Sequence, residues 1–423
     1  MNNGRHIEYG SAAGSDAVIA FLGCIYEDAI VDCVVNNEKG FPQIAANNLG
    51  WMFAGGLRHY FKDDLQIFSV LAVSSFPRFK RLFIRPSTWN SSSDSGVTYI
   101  TFFNLPILKH FSILASALFS LVRWALSNKG RKKVLVIYSM YAPFPALGRV
   151  LAGCFGVKIV LIVPDLPEFM RLGVKTPWLL GIAIRLNRAQ LYFFSKSFNG
   201  YVFLTKFMAE RFNVGSEKYV VIEGCVNAAS GLDSNTRAVN GSNIRPLLYA
   251  GNLNEAYGVK MLIEGFMRLD NPSYRLWLCG AGPMKKEVED ACKEDSRITY
   301  FGVVPKQKVQ ELSSLATALI NPRTSAGEFT KYSFPSKIFE YLHTGTPTIM
   351  CRLPGIPDEY FSYVYAIEHE SIDGLGETVD YVLSLDDDEL EERGRLAREY
   401  VVANKNNILQ VGKLVELIKR LIY

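Results

Sequence analysis

The residues best suited to chemistry lie between positions 332 and 349, YSFPSKIFEYLHTGTPTI. A turn carrying Ser333, Pro335 and Ser336 opens a helix that stops at Gly345, before the next strand starts. The first turn of a helix has unpaired backbone N–H groups and a positive dipole end, which suits a phosphate. Ser336 is expected as the N-cap, Lys337 adds a full charge, and Glu340 follows one turn on, along the same side. An acid one turn behind a phosphate site is placed to hydrogen-bond sugar hydroxyls, as a ribose offers. The segment reads as a nucleotide-sugar site, although a serine, an amphipathic helix and a glycine also begin and end any helix of an α/β domain.

Three glycine turns keep this segment company, each at the expected end of a strand: Gly251-Asn252, Gly280-Ala-Gly282-Pro and Gly302-Val303-Val304-Pro. In an open parallel sheet, ligands bind in the crevice beyond the strand carboxyl ends. Glycine there lets backbone N–H groups approach a diphosphate, and equally lets a loop simply turn. With Ser336, Lys337 and Glu340 at the same sheet edge, the set forms one coherent site.

The elements that must position these residues are short apolar runs alternating with helical patterns, the rhythm of parallel α/β architecture. In the first half, strands are expected at 17–22, 64–73, 97–103, 134–138, 158–163, 200–204 and 219–223, and helices at 45–60, 105–127, 144–155 and 178–195. Residues 226–246 are rich in small polar side chains and mark a boundary. Beyond them the rhythm restarts at 246–250 and runs to charged amphipathic helices over 388–423. A chain of 423 residues suits two domains of about 200 residues each.

Composition narrows the function. A net charge of +5 is too small for a dedicated nucleic-acid binder. The seven cysteines are scattered, odd in number and never in a CxxC pair, so neither a disulfide framework nor a zinc site is expected and a reducing, cytoplasmic compartment is. The five histidines never pair at ligand spacing, and no metal site is expected. Asp386-Asp387-Asp388 has the letters of a metal-binding DxD motif but opens a charged helix, where acids complement the dipole. The first 15 residues are polar and small, without the apolar core of a signal peptide. Residues 105–126 come nearest to a membrane span, but their longest uncharged run, 111–122, falls short of one. Basic residues interleave with apolar ones at 76–85, in the 105–123 helix and at 175–196. Together these suggest peripheral attachment to an anionic membrane surface.

With these motifs in view, the second half resembles the donor-binding domain of glycosyltransferase family 4 enzymes. The resemblance rests on YAGNLNEAYGVKMLIEGF (249–266), LWLCGAGPMKKEVED (276–290), ITYFGVVPKQKVQEL (298–312) and YSFPSKIFEYLHTGTPTI (332–349). In the first half, VLVIYSM (134–140), LIVPDLPEFM (161–170) and YVVIEGCVN (219–227) resemble the subgroup that builds bacterial exopolysaccharide, capsule or O-antigen repeats. The resemblance implies a GT-B fold: two Rossmann-like, doubly wound parallel-sheet domains facing a central cleft. The expected divisions are an acceptor and membrane domain over 1–228, a linker over 229–245, a nucleotide-sugar domain over 246–400, and a terminal helix over 401–423 crossing back to the first domain.

The resemblance also implies roles. Glu340 matches the acid expected on the ribose, Gly251, Gly280 and Gly282 the turns flanking sugar and diphosphate, and Val303 and Val304 the base-binding loop. Ser333, Ser336 and Lys337 fall where the diphosphate is received. Three positions depart from the pattern: Tyr332 stands where a second glutamate is usual, Asn252 where a basic residue is usual, and Tyr257 where a lysine is usual. Neutralisation would then rest on Lys337 with Lys331 or Arg323, and Glu328 would supply the acid from a shifted position. On the acceptor side Asp165, directly after a buried strand, is the expected polar contact to the transferred sugar, or else a helix cap before Pro167. Gly23 and His59 are further acceptor-side candidates, with Glu168 behind them.

The implied activity is retaining transfer of a hexose from a nucleotide sugar, UDP before GDP, to a lipid-linked saccharide, with no cofactor beyond the donor co-substrate. The three departures keep open a non-catalytic GT-B nucleotide-sugar-binding or partner subunit; a nucleotide-sugar epimerase is a further alternative.

Overall fold

Ala17–Gly23 is an unbroken apolar run, buried at every position, and it forms a central strand, β1. A strand with apolar residues on both faces needs cover on both, as in a parallel sheet flanked by helices. The computed structural model describes residues 16–37, 44–86, 96–169, 178–228 and 244–423. The chain divides into two units, Met1–Glu223 with Asn407–Tyr423, and Gly224–Asn406. The expected linker lies outside the described residues, apart from its last two positions.

In the first unit β1 is followed by α1 (Asp28–Asn37), α2 (Ile44–Phe61), β2 (Leu65–Ser69), β3 (Phe83–Ile84), β4 (Val97–Tyr99), β5 (Phe102–Phe103) and α3 (Leu108–Ser127). Then come β6 (Lys132–Tyr138), α4 (Pro143–Phe155), β7 (Lys158–Val163), α5 (Trp178–Ser195), β8 (Gly200–Phe203), α6 (Lys206–Phe212) and β9 (Tyr219–Val221). Seven strands pair in the order β4-β2-β1-β6-β7-β8-β9, and every described pairing among them is parallel. The chain first works outward from β1 through β2 to β4, then returns to the other side of β1 at β6. The crevice beyond the ends of β1 and β6 is therefore this sheet's topological switch point.

Alternate residues divide the two faces. Ile19, Phe21, Val134, Val136, Tyr138, Val160 and Ile162 pack on one face with Phe53 and Leu57 of α2 and with Val411, Leu414 and Ile418. The last three belong to the helix over Asn407–Ile422, so the end of the chain completes the core of the first unit. Gly56 permits that contact, since a Cβ there would lie 2.5 Å from Val411 Cγ2 and 2.8 Å from the Asn407 carbonyl. On the opposite face, a Cβ at Gly148 of α4 would lie 2.9 Å from Ile137 Cδ1.

The second unit contains β10 (Arg245–Ala250), α7 (Val259–Met267), β11 (Tyr274–Cys279), α8 (Lys285–Glu294), β12 (Ile298–Gly302), α9 (Lys306–Leu315) and β13 (Ala318–Asn321). It continues with α10 (Lys337–Thr344), β14 (Thr348–Cys351), β15 (Tyr365–Ile367), α11 (Ile372–Ser384) and α12 (Asp387–Asn404). The helix over Asn407–Ile422 is α13. The six strands run parallel in the order β12-β11-β10-β13-β14-β15. The switch point here lies between the ends of β10 and β13.

Several elements differ from the sequence expectation. The strand expected over 64–73 stops at Ser69, and the one over 97–103 splits, because β5 leaves the main sheet to pair antiparallel with β3. The helix α1 and the β15–α11 pair were not foreseen, and the terminal helix expected from 401 begins at Asn407. Helix α3 also differs: at 20 residues it is long and apolar enough to cross a membrane by length and composition. In this fold its Ile113, Ala117, Leu121 and Trp124 are buried, while Phe111 and Phe119 stay exposed.

Candidate active site

The second unit's switch point is built by strand ends that lock onto one another. Gly251 N–H donates to the Cys279 carbonyl (2.9 Å), Gly280 N–H to the Gly302 carbonyl (2.7 Å), and Leu253 N–H to the Ala281 carbonyl (2.9 Å). The loops are in backbone contact. A Cβ on Gly280, whose φ is +131°, would sit 1.7 Å from the Gly251 carbonyl oxygen; one on Gly282 would sit 2.2 Å from that of Leu253. This corrects the sequence reading, since the N–H groups of Gly251 and Gly280 are spent inside the protein rather than aimed at a diphosphate. Gly280 and Gly282 are glycines because the loops touch.

Gly251 is small for another reason. A Cβ there would lie 2.7 Å from the Tyr249 hydroxyl and 3.1 Å from Lys337 Cε, so the lysine stem runs directly over it. Lys337 is the first residue of α10, and α10 is fixed to the end of β10 by Tyr341. That hydroxyl accepts from Ala250 N–H (3.1 Å) and donates to the Ala250 carbonyl (3.3 Å). Burial lowers the Lys337 pKa, while neighbouring Glu340 and Cys279 pull it the other way. A half-desolvated ammonium at a helix amino end is primed for an anion, because it has already lost much of its water. Glu340 is exposed one turn along α10.

Ser336 departs from expectation. It occupies the N-cap position with helical backbone angles, φ −55° and ψ −28°, and its side chain makes no capping bond. A capping side chain needs an extended backbone to reach the N–H groups of the first turn. Ser333 instead donates to the Phe329 carbonyl (3.0 Å) and accepts from an Arg323 guanidinium nitrogen (2.9 Å). Arg323, at the end of β13, stacks its guanidinium 4.3 Å from the Phe329 ring and 5.3 Å from the Tyr257 ring. It also acts electrostatically on the Tyr249 hydroxyl, whose pKa burial raises. Arg323 and Lys337 thus approach the switch point from β13 and α10, while Asn252 is exposed above Gly282. Glu328 opens the short 3₁₀ turn Glu328–Tyr332 and is exposed. Val303 is 67% exposed at the end of β12, whereas Val304 packs against the Leu248–Cys279 cluster. Sequence reading missed the tyrosines that hold these parts, Tyr249 and Tyr341; the signal was two tyrosines at the end of a strand and on the core side of its partner helix.

The acceptor-side candidates do not assemble in the first unit. Asp165 is exposed just beyond the carboxyl end of β7; residues 170–177, where a helix capped by it would run, lie outside the described residues. Glu168 accepts from the Tyr192 hydroxyl (2.9 Å) and from Arg211 Nε (3.2 Å), which makes it a brace among the β7 loop, α5 and α6. Gly23 is buried, and a Cβ on it would meet Phe21 at 2.9 Å, so packing accounts for the glycine. His59 is in the last turn of α2, next to the start of β2 and therefore at the opposite sheet edge from Gly23. A helix antiparallel to its strands carries its carboxyl end away from the ligand edge.

Two doubly wound parallel-sheet units, each with its switch point at the strand carboxyl ends, define the GT-B fold. Within the second unit, residues 245–384 match the family model described as Glycosyl transferases group 1. Among solved structures, HepE of Anabaena in complex with UDP aligns at a TM-score of 0.61 and 13% identity, covering 95% of this chain and 100% of that one. The lipopolysaccharide outer core galactosyltransferase WaaB aligns at 0.59 and 14% identity, covering 95% and 99%. Sucrose-phosphate synthase from Thermosynechococcus elongatus aligns at 0.62 and 15% identity, covering 96% and 99%. At such identities the likeness is one of fold. No curated protein matches the chain in sequence.

Proposed function

We propose that this protein is a retaining, metal-independent glycosyltransferase that moves a hexose from a UDP-sugar to a lipid-linked saccharide in cell-surface polysaccharide synthesis. The observation that carries the reading is Lys337, laid over Gly251 at the head of α10 at the switch point, with Glu340 one turn behind. Solved structures of Anabaena HepE carry UDP, UDP with glucose, and UDP-glucose, which favours uridine as the base. In the transfer, the bond from the anomeric carbon to the diphosphate oxygen breaks and one to an acceptor hydroxyl oxygen forms. The hydroxyl proton passes to the leaving nucleoside diphosphate. Lys337, Arg323 and the amino end of α10 stabilise the charge that builds on that diphosphate, a fixed electrostatic environment in place of a metal ion. Glu340 holds the ribose hydroxyls, Val303 lies along the base, and Asp165 contacts the acceptor-side sugar.

The proposed location is the inner face of the cell membrane. Between Leu65 and Arg131 the sequence has eight lysines and arginines and a single acid, Asp94, so the chain's whole positive excess falls in this stretch. Arg78, Lys80, Arg81 and Arg85 are exposed beside Leu82, Phe83 and Phe103 on the β3–β5 ribbon, which continues into the exposed start of α3. A basic apolar surface of this kind suits anionic lipid.

Calorimetric titration with UDP, GDP and ADP, with and without magnesium, tests the donor site. Saturable UDP binding without metal, lost in Glu340→Gln, is expected; binding of no nucleotide refutes the transferase reading.

A further inference from the structure

The loop between β13 and α10 carries Arg323, and two neighbouring turns hold that loop in place. The first is the turn before α7. A Cβ on Gly258, whose φ is +78°, would sit 1.9 Å from the carbonyl oxygen of Pro322, the residue before Arg323. That close approach sets Tyr257 beside the arginine, its ring 5.3 Å from the guanidinium. The second is the turn after β15, from which Glu370 reaches Ser325, two residues beyond Arg323. Both carboxylate oxygens accept from Ser325 N–H (3.0 and 2.8 Å), and one also accepts from the Ser325 hydroxyl (2.8 Å). Strand β14 stands between β13 and β15, so this carboxylate ties together loops two strands apart.

Glu370 is itself fixed. In its turn Ser371 N–H donates to the His369 carbonyl (2.8 Å), and Ser371 Oγ accepts from Gly374 N–H (3.0 Å) to cap α11. A Cβ at Gly374 would lie 2.4 Å from that same His369 carbonyl oxygen, so the turn closes on itself. Within the Arg323 loop, the Phe329 ring folds back over Gly327, where a Cβ would meet it at 2.2 Å. The ring thereby comes to lie 4.3 Å from the guanidinium. The buried Thr330 hydroxyl donates to the Gly327 carbonyl (2.6 Å) and closes the second half of the loop. Rings and a hydroxyl orient a guanidinium without cancelling its charge. An arginine held in this way is ready for an anion, because little side-chain freedom is left to lose on binding.

We propose that Glu370 is a positioning residue for the donor diphosphate: acting through Ser325, it fixes the Arg323 guanidinium against Phe329 and Tyr257. Tyr257, which stands where a lysine is usual, is then the support of a cation delivered from β13 instead. The role rests on the transferase reading for its ligand, whereas the hold of Glu370 on Arg323 does not.

The test uses the full chain: calorimetry with UDP, ligand-observed NMR with uridine, and nitrogen relaxation of the Arg323 Nε–H for the arginine itself. Glu370→Ala should weaken UDP binding on the order of tenfold, the scale of a hydrogen bond to a charged group, and leave uridine binding unchanged. Glu370→Gln keeps one accepting oxygen and should recover part of the loss. In an Arg323→Ala background, Glu370→Ala should add nothing further, since both act through one side chain. The Arg323 Nε–H, rigid in wild type, should gain fast motion in Glu370→Ala with or without nucleotide. Wild-type UDP affinity, a still rigid Arg323, or additive losses in the double variant overturn the proposal. So does an equal loss of uridine binding, the sign of a role in folding alone. If wild type binds no UDP while the stiffness of Arg323 still depends on Glu370, the transferase reading falls and the hold on Arg323 stands.

Discussion

Replacing Lys337 with methionine separates the donor site from mere packing, because binding and stability should move in different directions. The substitution keeps the stem over Gly251 and removes only the ammonium. In the free protein that ammonium is partly desolvated and its pKa is lowered, so its charged form is disfavoured by folding. Removing it should leave the melting temperature unchanged or slightly raised. The linkage sign agrees: between the lowered pKa and the ordinary 10.5 the unfolded chain binds more protons, so wild-type stability rises with pH there, and Lys337→Met loses that rise. UDP affinity should respond far more. A charge-assisted hydrogen bond contributes ~1.5–3 kcal/mol, and at 1.4 kcal/mol per decade the loss is on the order of 10- to 100-fold in Kd. Calorimetry at pH 7.5 measures it, and repeating it at alkaline pH adds a second reading. Wild-type binding should fall as pH rises through the lowered lysine pKa, and the difference from Lys337→Met should shrink in step. The comparison with the variant cancels the titration of uracil itself. An unchanged Kd, or a Kd loss matched by a drop in melting temperature, would refute the assignment.

Other perturbations follow from the same geometry. Gly280→Ala places a Cβ at φ +131° and 1.7 Å from the Gly251 carbonyl, so the second unit should lose at least ~2 kcal/mol and roughly 4–8 °C by differential scanning calorimetry. Tyr341→Phe strands the buried Ala250 N–H, costing about 1–3 kcal/mol; urea unfolding should show it, and UDP affinity should fall as α10 loosens from β10. Exchanging Arg78, Lys80 and Arg81 for serine should weaken sedimentation with anionic vesicles by on the order of 100-fold, from about 1 kcal/mol per basic residue near the surface, while neutral vesicles bind both forms equally weakly. Gly56→Ala drives a Cβ into Val411 and the Asn407 carbonyl, so α13 should lose amide protection in hydrogen exchange and the first unit about 1–3 kcal/mol.

Much of this molecule is legible in its sequence. Strand runs such as 17–22, 134–138 and 158–163, and the helix between Ser336 and Gly345, follow from apolar periodicity and stop signals that act within a few residues. The carboxyl-edge glycines and the Lys337–Glu340 spacing are local in the same way. Local pattern does not say where a backbone N–H finds its partner. The N–H groups of Gly251 and Gly280 are consumed by neighbouring strands, and Ser333 is claimed by Arg323, ten residues earlier in the chain. Nor does spacing fix which end of a helix reaches the ligand edge, which is why His59 fell on the wrong side. The tyrosine that pins α10, the lysine stem over Gly251, and the hold of Glu370 on Ser325 all join residues 45 to 91 positions apart. Sequence determined the elements because their forces are short-ranged along the chain; only the tertiary structure decided the site, because contact there depends on strand order.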